Sequence, residues 1–150
     1  MLVEFAVVLP VLILIVLGIL YFGRYEDYTN QETQLAEMGV RFAALNTNPS
    51  TTSQTLQAYI LSQAQPELQF GSSDVKAAKV FLYFPTGSSN VVGNPVRACV
   101  VTTVTFPTPI GAPATTIAQT ATMRTEQLQT SAKWSPDLAA TAAAAGCSIS

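Results

Sequence analysis

The chain opens with an apolar run that contains almost no polar side chains. The first 23 residues are MLVEFAVVLPVLILIVLGILYFG, and the only charged side chain among them is Glu4. As a helix, the 18 residues from Phe5 to Phe22 would span about 27 Å, close to the hydrocarbon thickness of a bilayer. The rest of a 150-residue chain is too small to cover a helix that is apolar on every face. The run therefore predicts a segment that contacts lipid or neighbouring helices.

After Arg24 the apolar residues become confined to one side. They recur at steps of three and four, interrupted once by Glu32, and this spacing predicts an amphipathic continuation of the same helix. The sequence NTNPSTT is a stop signal, so the helix is expected to end near Leu45, with a total length of about 68 Å. The predicted buried row is Tyr21, Tyr25, Tyr28, Leu35, Met38, Phe42 and Leu45.

Pro10 lies inside the apolar run and removes one helical hydrogen bond. Two interpretations stay open for it. Proline is common in membrane helices, and a proline also marks a stretch that can unwind during the assembly of a filament.

The remaining sequence predicts a small α+β head. A short helix is expected at 54–64 after an N-cap at Ser53, and a last helix begins at Ser135 and Pro136 and stops at Gly146. Apolar and β-branched runs between turn-rich connections predict three antiparallel strands, or four if SAKW (131–134) is one. The three strands are expected at 76–84, 96–106 and 115–128. The expected organisation is a hydrophobic helix at 1–23, its amphipathic continuation at 24–46 and a head at 47–150.

Composition argues against an enzyme and against a nucleic-acid-binding protein. The net charge is −2, and the seven Lys and Arg residues are scattered rather than gathered in a basic stripe. Histidine is absent, and no phosphate-binding or dinucleotide-binding glycine motif occurs. No Ser or Cys stands in a nucleophile-elbow context. We expect no catalytic residue, no cofactor and no metal site.

The two cysteines, Cys99 and Cys147, are far apart and cannot form a four-ligand zinc site. If the head lies outside the cytoplasm, a disulfide between them is expected. It would close a loop of about 49 residues, for which chain entropy predicts roughly 4 kcal/mol of stabilisation. The alternative is a pair of buried free thiols.

Three interpretations of the apolar run remain. A secretory signal peptide needs a basic start and a small-residue cleavage site, and the sequence has neither. A signal anchor is usually oriented by flanking basic residues, yet the nearest one, Arg24, follows the run. The third is a helix that packs into the core of a filament. Only this one explains Glu4, whose buried carboxylate would pair with the free amine at Met1 of a neighbouring subunit.

The stretch LVEFAVVLPVLILIVLGILYFGRY resembles the N-terminus of TadE/TadF-like pilin-like proteins of tight-adherence (Tad) pilus systems, and ATMRTEQ (121–127) resembles their last strand. The resemblance implies cleavage by a prepilin peptidase, an inner-membrane pool, handling by the pilus assembly machinery and an extracellular filament. In this family the acid usually stands fifth after the cleavage point, whereas Glu4 is fourth. Either cleavage is shifted by one residue, or Met1 is an encoded start.

Four aromatic residues mark the end of the apolar run: Tyr21, Phe22, Tyr25 and Tyr28. They are expected to form either an interfacial belt or stacking contacts between subunits. The functional hypothesis is a structural subunit that polymerises with itself into a surface filament for adhesion. The alternatives are a minor pilin that assists assembly and a membrane-anchored binding or scaffold domain that does not polymerise.

Overall fold

A computed structural model of the chain describes residues 2–51, 53–85, 91–105, 114–127 and 133–147. A long helix is followed by a three-stranded antiparallel sheet and short helices, which confirms the expected α+β class. The elements are α1 (Leu2–Ala44), α2 (Leu56–Ser62), α3 (Pro66–Phe70), β1 (Lys79–Tyr83), β2 (Pro95–Val104), β3 (Thr115–Arg124) and α4 (Ala139–Ala144).

Helix α1 is one α-helix of 43 residues that includes Pro10. It ends at Ala44, one residue before the predicted position. Asn46 has a φ of 48°, in the left-handed region that asparagine tolerates better than most residues. The Thr47 amide then donates to the carbonyl of Phe42, which closes the helix end.

The sheet has the order β1-β2-β3, with β2 in the centre. Its strands are shorter than predicted where other bonds take their backbone groups. The Ala78 amide donates to the carbonyl of Leu68, so β1 begins at Lys79 rather than at residue 76. Beyond Arg124 the Thr125 amide and hydroxyl bond to the loop that precedes β2, which ends β3.

The prediction of a fourth strand at SAKW is wrong for its described part, residues 133–134, which are not in a strand; residues 131 and 132 lie outside the described ranges. Trp134 instead packs into the core. Its ring stacks on Phe84, and its Nε1–H donates to the carbonyl of Ala43 at 3.2 Å. The side chain therefore ties this segment to the end of α1.

The short helices differ from their predicted bounds for local reasons. Helix α2 is capped by Thr55, whose hydroxyl accepts from the Ala58 amide, and not by Ser53. Pro66 does not merely end a helix but starts α3, where its missing N–H costs nothing. Helix α4 begins after Leu138, because Asp137 binds β1 and does not continue a helix from Pro136.

The main core lies between α1 and one face of the sheet. The structure corrects the predicted buried row, because five of its members are only half-buried: Tyr21, Tyr25, Met38, Phe42 and Leu45. Small residues make the closest approach. A Cβ at Gly39 would lie 3.4 Å from the Ala98 Cβ. The residues of α1 that are buried in this core are Tyr28, Leu35, Ala36, Val40, Ala43 and Ala44.

The opposite face of the sheet is partly covered by α4 and the segment after it. Cys99 and Cys147 are joined by a disulfide with a Cα–Cα distance of 6.2 Å, which confirms the expected pairing. Cys99 is in the central strand, and Cys147 follows Gly146, whose φ of 104° ends α4 as predicted. The second buried cluster consists of Tyr83, Cys99, Val101, Ala142 and Cys147.

Candidate assembly surface

The apolar half of α1 projects away from the head. Helix α1 is long and apolar enough to cross a membrane, and none of its most apolar stretch is buried within the protein. Exposed side chains point in every direction around the helix, from Phe5 at 64% exposure to Phe22 at 66%. No side chain in the described part of the head covers them, so this surface is free to contact lipid or other copies of α1.

The head begins to pack against α1 where the apolar run ends. Tyr21 and Tyr25 are half-buried, whereas Tyr28, two turns beyond Tyr21, is 5% exposed. The Tyr28 hydroxyl donates to a carboxylate oxygen of Glu67 in α3. Burial, reinforced by this hydrogen bond and the negative charge of Glu67, raises the pKa of Tyr28 to about 12. Tyr28 therefore fixes α3 to the start of the head.

The structure separates the four aromatic residues predicted to mark this boundary, and Tyr28 is the buried one among them. Phe22 is exposed, but Tyr25 packs against the core of its own head. Tyr21 lines a small recess together with Arg24, Tyr28, Asp74, Val75, Val104 and Thr105. Phe22 therefore remains available to lipid or to another subunit, while the two tyrosines are partly used inside the chain.

The other predicted assembly residues stand at the far end of α1. Glu4 and Pro10 are both within the helix, and Met1 lies outside the described residues. The pairing of Glu4 with an amine of a neighbouring chain stays a prediction.

Glu32 lies on the buried side of α1, between Tyr28 and Leu35, with 0% exposure. Within the described parts of the chain, neither of its carboxyl oxygens has a hydrogen-bond partner. Burial alone raises the pKa of Glu32 to about 8, so the neutral acid predominates in the folded protein at neutral pH. An unpartnered buried acid destabilises the fold when it ionises.

The sequence pattern placed Glu32 in the buried row but could not show that it lacks a partner. The spacing from Tyr28 to Leu35 was the available signal. Phe70 was missed altogether, because it ends a helix that the pattern did not predict. It is 76% exposed, the highest exposure among the large apolar side chains of the described head.

The described surface has no feature that indicates catalysis. The recesses are open to solvent, and one of about 390 Å³ lies between α1 and β3. No three His, Cys, Asp or Glu side chains come together among the residues that the structure describes. The apolar half of α1 is thus the prominent chemical feature.

Residues 1–41 match the family model described as TadE-like protein. The match spans the apolar run and most of α1 and ends before the sheet, so the expected resemblance of ATMRTEQ (121–127) lies outside it and stays a prediction. Over the matched segment the predicted resemblance is confirmed, and it indicates a protein associated with a Tad pilus that carries an N-terminal helix of the membrane type. No curated protein and no solved structure is detectably similar to the chain.

Proposed function

We propose that this chain is a structural pilin-like subunit that polymerises into an extracellular surface filament through the apolar half of α1. The observation that carries the proposal is the all-round exposure of that half, from Phe5 to Phe22. An isolated helix of this kind is stable in a bilayer or against other apolar helices, but not in water. The match of residues 1–41 to TadE-like protein supports the same function.

Assembly would exchange contacts with lipid for contacts between helices. Lipid tails are as apolar as the side chains of α1, so the gain comes from closer packing and matched polar groups rather than from the hydrophobic effect. Residues 1–23 would form the filament core, 24–46 would carry the head, and the head at 47–150 would form the outer wall. Adhesion is then a property of the head surface, and prepilin peptidase and the pilus assembly machinery would process and extract the subunit.

Glu4 would set the axial position of each subunit. A carboxylate buried among apolar helices costs several kcal/mol unless it is paired. The free amine of a processed Met1 on the next subunit would supply the matching positive charge. The pair can form at only one axial offset between neighbouring subunits. Register thus follows from a single contact.

A second candidate is a single-span anchor that displays the head without polymerising, or that assists a different pilin as a minor component. The observation in its favour is that α1 alone is long enough to hold the head at a membrane. An anchor of this kind does not require a charged side chain at position 4.

The test compares Glu4→Leu with Glu26→Leu, which removes an exposed acid from the same helix beyond the apolar run. Filaments sheared from cells are counted by negative-stain imaging, and the N-terminus of the sheared protein is determined by mass spectrometry. We expect filaments of this chain from the wild type and from Glu26→Leu, and none, or filaments of altered helical rise, from Glu4→Leu. Normal filaments from Glu4→Leu would rule out the charge pairing. A wild-type chain found only in membranes would favour the anchor or minor subunit.

A further inference from the structure

Phe70 is an exposed aromatic side chain at the end of α3, and α3 contacts α1 just beyond its apolar half. It is the last residue of α3, and the next residue, Gly71, turns the chain sharply with a φ of 79°. A Cβ at Gly71 would lie 3.0 Å from the Ala77 amide nitrogen and 3.1 Å from the Val75 carbonyl oxygen. The backbone after Phe70 is therefore packed against itself, which holds this aromatic residue at the surface.

Contacts with α1 fix the height of this region. The Tyr28 hydroxyl bonds to Glu67, one turn before Phe70. On the other side of Phe70, Asp74 and Val75 border the recess that Tyr21 and Tyr28 line. Tyr28 lies six residues beyond Phe22, which corresponds to about 9 Å along the helix. The segment around Phe70 thus lies just above the end of the apolar run.

We propose that Phe70 and Phe22 form an apolar foot that inserts into the headgroup region of the bilayer and seats the head on the membrane surface. The headgroup region extends about 5–8 Å beyond the hydrocarbon on each side. Aromatic and leucine side chains next to basic groups are typical of surfaces that lie in this zone. Arg24 and Asp74 border the adjoining recess with one charge of each sign, and Glu67, one turn before Phe70, adds a second negative charge, so the contact with lipid rests on the aromatic side chains and not on charge.

Seating would restrict the tilt and rotation of the head before assembly. The inference rests on the membrane insertion of α1 that the proposed function assumes, but not on polymerisation. The alternative partner for the apolar foot is a second copy of the chain.

The experiment places tryptophan at three positions of the full chain in nanodiscs: Phe70→Trp, Phe22→Trp and Leu138→Trp. Leu138 is the matched control, because it is 75% exposed and follows Asp137, whose carboxylate binds the Leu82 amide. Leu82 lies at the level of Gly39, about 25 Å beyond Phe22 along α1. Quenching of the indole emission by lipids brominated close to the headgroups reports contact with the interface.

Trp134 is present in all three variants as an internal reference. It is buried beside Ala43, about 32 Å beyond Phe22, so the wild type, in which Trp134 is the only tryptophan, gives the emission that brominated lipid should leave unchanged and that is subtracted from each variant. We expect a loss of emission at position 70 that approaches the loss at position 22, with no loss at position 138.

Equal, negligible quenching at positions 70 and 138 beside strong quenching at position 22 would overturn the seating of the head and leave the membrane helix intact. Negligible quenching at all three positions would overturn both the seating and the membrane insertion of α1. If the indole at position 70 responds to polymerisation but never to brominated lipid, its partner is another copy and the lipid assignment is wrong.

Discussion

Replacing Glu32 with glutamine separates the cost of a buried charge from the cost of a buried polar group. Glutamine has nearly the same shape as the neutral acid, and the Glu32 carboxyl group that it replaces has no hydrogen-bond partner among the described residues. The substitution therefore removes the ability to ionise and little else. We expect Glu32→Gln to abolish a pH dependence of stability that the wild-type head possesses.

The magnitude follows from the pKa of Glu32 in the two states. Burial raises that pKa from 4.5 to about 8, so between these values the folded state binds more protons than the unfolded state. The free energy of unfolding, as far as it depends on Glu32, is highest below pH 4.5, falls as the pH rises, and reaches its minimum above pH 8. At about 1.4 kcal/mol for each pKa unit the full loss is roughly 5 kcal/mol, of which about 3–4 kcal/mol falls between pH 5 and pH 8.

The assay is denaturant unfolding of the full chain in detergent micelles, followed by the emission of Trp134. This tryptophan is the only one in the sequence, and it is buried against Phe84 in the core of the head. The wild type, Glu32→Gln and the control Glu37→Gln, which alters an exposed acid of the same helix, are each unfolded at pH 5 and at pH 8. We expect similar midpoints for wild type and Glu32→Gln at pH 5, and a more stable Glu32→Gln at pH 8.

An equal loss of stability in the wild type and Glu32→Gln between the two pH values would contradict the assignment of the pH dependence to Glu32. A Glu37→Gln variant that abolishes the pH dependence as effectively as Glu32→Gln would contradict it too. Either result would mean that the folded state does not keep Glu32 neutral.

Two further substitutions test the packing of the head in the same unfolding assay. Replacing Cys99 and Cys147 together with alanine should lower stability by about 4 kcal/mol, because the disulfide spans a sequence separation of 48 residues; an unchanged midpoint would show that the bond does not constrain the unfolded chain. Gly39→Leu should lower the free energy of unfolding by about 3 kcal/mol, because it overpacks the contact between α1 and the sheet. Gly23→Leu is the control and should have little effect, because the space around Gly23 is open. Equal effects of the two substitutions would contradict the close approach at Gly39.

The long N-terminal helix and the α+β class were predictable from the sequence, because both follow from the pattern of apolar and polar residues along the chain. The uncharged run after Glu4 and the change of pattern at Arg24 predict a long helix with two different halves. The same holds for two helix ends: the predicted stop signal NTNPSTT begins at Asn46, and Gly146 was predicted to end the last helix. The structure adds that both residues have a positive φ, which these residue types favour. The disulfide was expected as well, because the chain has one possible intramolecular pair of cysteines.

The details of the assembly surface were decided by tertiary contacts, for which the sequence offers no local signal. The side of α1 that faces the sheet is the one that allows the backbones to approach closely. Small residues such as Gly39 therefore lie against the sheet, whereas the larger Met38 is only half-buried. The ends of the strands were set by hydrogen bonds from distant residues, as at Ala78. Two features arise only when the head folds onto α1: Glu32 is buried without a hydrogen-bond partner among the described residues, and Phe70 lies near the end of the apolar run. Both depend on contacts between elements that lie far apart in the chain.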